Sequence, residues 1–126
     1  MTEFSNWMEN AVINAMRGIP LNIGDLYAAL YTSAPTDAGG GTEVTGNNYG
    51  RIPVPISAPS GGASSNPSDA AYNTATAGWG TINTYGLFDA QTGGNLIMWT
   101  PLTTDKAVNS GDTAKFNAGD IDITVD

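Results

Sequence analysis

A chain of 126 residues is one domain in length, long enough to bury something like two thirds of its unfolded surface. It contains no cysteine and no histidine, which excludes a disulfide framework, a thiolate zinc site, a cysteine nucleophile and the usual histidine base; catalysis would rest on carboxylates alone. Charged residues make up only 13% and the net charge is -8, so the protein repels polyanions, and its Gly, Ser, Thr and Asn suit long neutral loops or a particle component covered by neighbours. The four cations, Arg17, Arg51, Lys106 and Lys115, are too scattered to track a phosphate backbone, so nucleic acid is not an expected partner. No apolar run reaches the roughly 18 to 20 residues of a membrane span, and Met1-Thr-Glu-Phe4 does not begin an export signal; a protein made and retained in the cytoplasm, without a membrane, is expected.

The first element is a helix. Phe4, Trp7, Met8, Ala11, Val12, Ala15 and Met16 recur at three- and four-residue steps, predicting one apolar face from about Ser5 to Arg17. Ser5 is placed to cap it, Glu9 and Arg17 complement its dipole, and Gly18-Ile19-Pro20 stops it. That face either closes one end of the domain's own core or docks on a partner subunit through Trp7 and the two methionines. Next, Asp25–Ser33 reads as a strand with both faces apolar, Leu26, Ala28 and Leu30 opposite Tyr27, Ala29 and Tyr31, and so belongs in the middle of a sheet.

Ala34–Gly41 is a loop whose Gly39-Gly-Gly41 lacks the Gly-Lys-Ser/Thr of a phosphate cradle, and the Gly- and Asn-rich stretch to Gly50 continues it. In Arg51–Ser57, Ile52, Val54 and Ile56 alternate with Pro53 and Pro55. Both prolines lack a donor on the same lateral side, which predicts an edge strand closed to further pairing. Ala58–Gly78, with Tyr72 its only large side chain, has no periodicity and is expected to be an intersubunit excursion or a disordered loop, with a short strand at Asn73–Thr76 at most. Trp79–Asp89, Asn95–Thr100 and Asp120–Asp126 are strand-length runs divided by hairpin-length turns at Gln91–Gly94, Asn109–Asp112 and Asn117–Asp120, with a short piece around Phe116 between the last two. This is a β-meander.

Four stretches, Leu26–Val44, Tyr49–Val54, Trp79–Ile82 with Tyr85–Ile97, and Trp99–Thr104 with Val108–Asp112, Phe116 and Ala118–Ile121, resemble in order and spacing a family of small tailed-phage virion proteins carrying the tail-fibre label. The resemblance implies a phage structural protein of the virion, with no catalytic residue and no cofactor. The serine- and glycine-rich stretch Ser57–Asp69 departs from the shared pattern.

Chemistry of other kinds has little to stand on. Paired carboxylates suit glycoside hydrolysis, but Asp89 and Asp112 sit in turns where Asp bonds its own backbone. Asp120, Asp122 and Asp126 alternate with Ile121, Ile123 and Val125, which makes an acidic stripe opposite a core stripe and not the folded-back loop calcium requires. Trp79 and Trp99 lie among apolar neighbours, favouring core packing over a sugar platform.

The expectation is therefore an antiparallel all-β sandwich or jelly-roll of seven or eight strands over residues 21–126, preceded by a helical arm at 1–20. Its expected role is capsid decoration: a cement protein that binds the assembled shell and stabilises it, with a tail fibre or receptor-binding module holding host glycans as the alternative. The expected partners are the major capsid protein and copies of the chain itself, as a trimer on local threefold positions or dimers on twofolds. The candidate contacts are Phe4, Trp7, Met8, Val12, Met16, Arg51 and Tyr72.

Overall fold

The computed structural model describes residues 3–125. In chain order its elements are β1 (Glu3–Phe4), α1 (Asn6–Met16), β2 (Tyr27–Ser33), β3 (Thr42–Glu43), β4 (Ile52–Pro53), β5 (Ala63–Ser65), β6 (Ala70–Ala71), β7 (Gly80–Phe88), β8 (Leu96–Val108), β9 (Lys115–Phe116) and β10 (Asp122–Thr124). Among the described residues all strand pairing is antiparallel. The main sheet runs β1-β8-β7-β2-β3, with β4 beside β3 on the same edge of β2; β5 with β10 and β6 with β9 form two small sheets. The expected sandwich-like all-β fold with one helix is the fold observed.

The two apolar faces of β2 explain the layering. Ala28 and Leu30 join the large core with Val54, Tyr72, Trp79, Ile82, Leu87, Met98, Phe116 and Ile121, whereas Ala29 and Tyr31 form a second, smaller cluster with Phe88 and Leu96, against which Trp99 packs. Because Tyr72, Phe116 and Ile121 come from the small sheets or their flanks, the large core is the filling between those sheets and the main one. Tyr49, Tyr72 and Trp79 meet with ring centroids 5.4 to 6.2 Å apart, and Tyr85 meets Phe116 edge-on at 5.1 Å.

The edge-strand reading of Arg51–Ser57 holds in a shorter form. Only Ile52 and Pro53 pair with β2, and Val54 N–H donates to Leu26 O at 2.8 Å, leaving Ile56 outside on the surface. The strand expected to end at Thr100 instead runs through Pro101 to Val108. Two irregularities make this possible: Leu87 faces Met98 while Phe88 faces Leu96, so Ile97 is an extra residue turned into the core, and residues 102–105 stand opposite the single Asn83. Beyond Trp99 the outer edge of β8 pairs with no strand among the described residues, so Pro101 sits there without loss of a ladder bond.

Ala58–Gly78 is neither disordered nor an outward excursion, because it supplies β5, β6 and the buried Tyr72. Its pin is Asn66, which is fully buried. The side-chain amide donates to Ser68 O at 2.9 Å and Asn117 O at 3.0 Å, and Oδ1 accepts from Gly119 N–H at 3.1 Å and Ile121 N–H at 2.9 Å. Asn73–Thr76 forms no strand, but Ala75 exchanges backbone bonds with Asp112 and Gly111 at 2.9 and 2.8 Å.

Candidate interaction surface

The helix forms where local rules place it. The Ser5 hydroxyl accepts from Met8 N–H at 3.1 Å, and the same hydroxyl donates to Leu96 O while Ser5 N–H donates to Ile97 O at 3.0 Å. One buried serine thus caps the helix and fastens it to β8. Asn6 N–H donates to Asp37 O at 2.9 Å, and β1 adds Glu3 and Phe4 to the main sheet, so the entry to α1 is held from three sides. At the other end Gly18, with φ +87°, donates to Ala15 O at 3.1 Å and Ile19 N–H donates to Asn14 O at 2.9 Å. This is a Schellman cap, which needs the left-handed backbone that glycine tolerates and folds Ile19 back beside the last turn.

Held only at its start, α1 has no buried residue. Phe4 and Met8 pack on the large core, as a helix closing the core requires, but Trp7 is 37% exposed, Val12 38%, Ile13 56% and Met16 82%. Ile19 and Leu21 continue the exposed apolar surface. Beside Met8 opens an apolar groove of about 670 Å³ walled by Ile23, Leu26, Val54, Ile56 and Val125. Phe4, Trp7, Met8, Val12 and Met16 therefore all belong to this end of the molecule. Ile13, Ile19 and Leu21 belong there too and were missed: Ile13 lies off the predicted stripe, and Ile19-Pro20-Leu21 reads from sequence only as a helix stop.

Arg51 and Tyr72 are elsewhere, and both are used internally. Arg51 makes a two-bond pair with Glu43, Nε to Oε2 and Nη2 to Oε1 at 2.9 Å each; its Nη1 donates to Ala90 O and Gly93 O at 3.1 and 2.8 Å. The guanidinium lies 3.6 Å from the centre of the Phe88 ring. Tyr49 completes the cluster, donating to Glu43 Oε2 at 2.7 Å and accepting from Leu30 N–H at 3.0 Å. Burial first, and the bond to Glu43 second, push the Tyr49 hydroxyl far above its ordinary value; Tyr31 beside it is pushed up to about 12 by burial and then by the Glu43 charge. Tyr72 donates to Ala28 O at 2.8 Å, and its burial raises the hydroxyl well above the ordinary range. Both side chains face inward. Arg51 instead ties β3 and the Ala90–Gly93 turn to the smaller core.

The acidic residues do what turns ask of them. Asp89 accepts from Asn95 N–H at 2.6 Å, Asp112 from Asn109 N–H at 2.9 Å and Asp120 from Asn117 N–H at 2.8 Å. The apolar stripe expected opposite the acidic one is only partly internal: Ile121 is buried and Ile123 packs on the core, but Val125 is 54% exposed. Asp126, the last member of the acidic stripe, lies outside the described residues. Trp79 is core, its indole donating to Asn47 O at 2.9 Å, and half-buried Trp99 donates to Asp37 at 3.3 Å. Among the described residues no three acidic side chains gather closely enough to hold a metal ion.

A small β-sandwich whose exposed chemistry is an anchored apolar helix has the features of a structural subunit that works by contact. The family model described as podophage GP4 fiber I protein gp80 matches residues 3–124, and the chain belongs to this family of phage structural proteins. No curated protein sequence matches it.

Proposed function

We propose that the protein is a fibre-type subunit of a tailed-phage virion, joined to its neighbours through the end of the molecule that carries α1. The observation that carries this reading is the helix itself, fastened to β8 through Ser5 yet leaving Val12, Ile13 and Met16 uncovered. A monomeric protein gains little from holding an apolar helix rigidly in solvent, whereas a subunit gains a preorganised contact. The description of the family as a fibre protein fits this reading, in which the neighbour is a tail component or appendage and not the major capsid protein that the sequence reading as a shell-decorating cement protein expected. The role is structural: binding stabilises whatever assembled state offers the matching surface, by mass action.

Electron microscopy of particles labelled with antibody to this chain tests the assignment. A few copies at the tail or the portal vertex are expected. Copies spread evenly over the head would replace the fibre reading with decoration.

A further inference from the structure

We propose that the C-terminal half of α1, with the segment from Arg17 to Ile23, is where copies of this chain meet, helix against helix. Within α1 the polar residues Asn6, Asn10 and Asn14 fall at four-residue steps on one narrow stripe, and apart from Glu9 the remaining circumference is apolar. The body covers only part of that circumference, at Met8. Val12, Ile13 and Met16 lie together on the uncovered side, and the Schellman cap sets Ile19 beside the last turn.

Two further observations point to a second copy as the occupant. The first is area: the exposed parts of Val12, Ile13, Met16, Ile19 and Leu21 sum to something on the order of 400 Å² of apolar surface, within the range of the largest patch on a monomer and close to the apolar share that one partner brings to a standard interface. The second is charge. The chain carries 12 acidic residues and a net charge of -8, so most faces of two copies repel, yet there is no Asp or Glu between Glu9 and Asp25. The single charge in that stretch, Arg17, is turned to the polar stripe, where its Nη1 donates to Asn14 Oδ1 at 3.0 Å. On that face of α1 the one carboxylate is Glu9, a turn before Val12 and Ile13, and from there to Ile23 the exposed apolar surface carries none. The proposal deepens the fibre reading and rests on it for the particle it serves.

Sedimentation equilibrium of the full chain at micromolar concentration, compared with the double variant Ile13→Asp/Met16→Asp, decides it. Both positions are exposed, so the variant is expected to keep the circular dichroism spectrum and melting temperature of the parent. The parent should sediment as an oligomer and the variant as a monomer, and added salt should strengthen the parent's association by screening the residual repulsion. A monomeric parent, or a variant of unchanged mass, overturns self-association. If the parent is monomeric but restores particles lacking the chain while the variant does not, the same surface docks on another virion protein, which sinks this proposal and leaves the fibre assignment standing.

Discussion

Asn66 shows how much one side chain can hold. Its amide satisfies two carbonyls and two N–H groups that are drawn from both ends of the Asn117–Ile121 turn and from Ser68. Asn66→Ala leaves the buried Ile121 N–H without its acceptor and removes the bonds to Ser68 O and Asn117 O, while Gly119 N–H keeps its bond to Asn66 O at 2.8 Å; the expected cost is about 2 kcal/mol or more, read as a fall in the urea midpoint. Gly94 is the second sensitive position. With φ +74°, an added Cβ would lie 2.5 Å from Asp89 Oδ1 and 2.7 Å from Ala90 Cβ, so Gly94→Ala both strains the backbone and displaces the carboxylate that closes the turn. Its expected cost is at least about 1 kcal/mol, or roughly 4 °C in thermal melting for a chain of this size. The role of Asp89 was readable from the order Asp-Ala-Gln-Thr-Gly-Gly, because the bond it makes is local. That of Asn66 was not, since three of its four partners lie some fifty residues away and an Asn before a Pro reads simply as a turn.

At the scale of elements, what was legible followed the range of the forces. The helix begins and ends where its cap residues place it, and the central position of β2 follows from its two apolar faces. The length of β8 did not follow, because Thr103-Thr-Asp-Lys-Ala107 carries no apolar alternation and is a strand only through its partnership with β7 and the bulge opposite Asn83. The same stretch leaves an exposed edge, guarded by Pro101, which has no N–H to offer, and by the charge of Lys106. Replacing both, as Pro101→Thr with Lys106→Thr, should leave the fold intact and promote edge-to-edge association on warming, measured by light scattering and thioflavin fluorescence. Unchanged scattering would show that the bulge alone protects the edge.

Across the whole molecule, the buried aromatic cluster sets an upper pH limit. Tyr31, Tyr49, Tyr72 and Tyr85 all hold their protons more tightly folded than the ordinary value of 10.0, chiefly because burial disfavours the phenolate. A group whose folded value is raised contributes stability that is complete below its unfolded value and is lost as pH climbs towards the folded one. Stability should therefore be flat up to pH about 10 and fall steeply from there to about 12, the window that Tyr31 defines. Urea midpoints across that range, with ultraviolet titration showing the tyrosines ionising together with unfolding, check this; phenolates forming well before unfolding would contradict it. By itself the sequence determined the all-β class, the capped helix, the turn-bound carboxylates and the lack of histidine and thiol chemistry, because composition, periodicity and caps act within a few residues. Only the tertiary structure decided that residues 58–78 are core-building, that Arg51 and Tyr72 face inward, and that α1 leaves Val12, Ile13 and Met16 exposed. Those outcomes depend on which distant segments meet, and burial is a property of the assembled layers that no local run of residues carries.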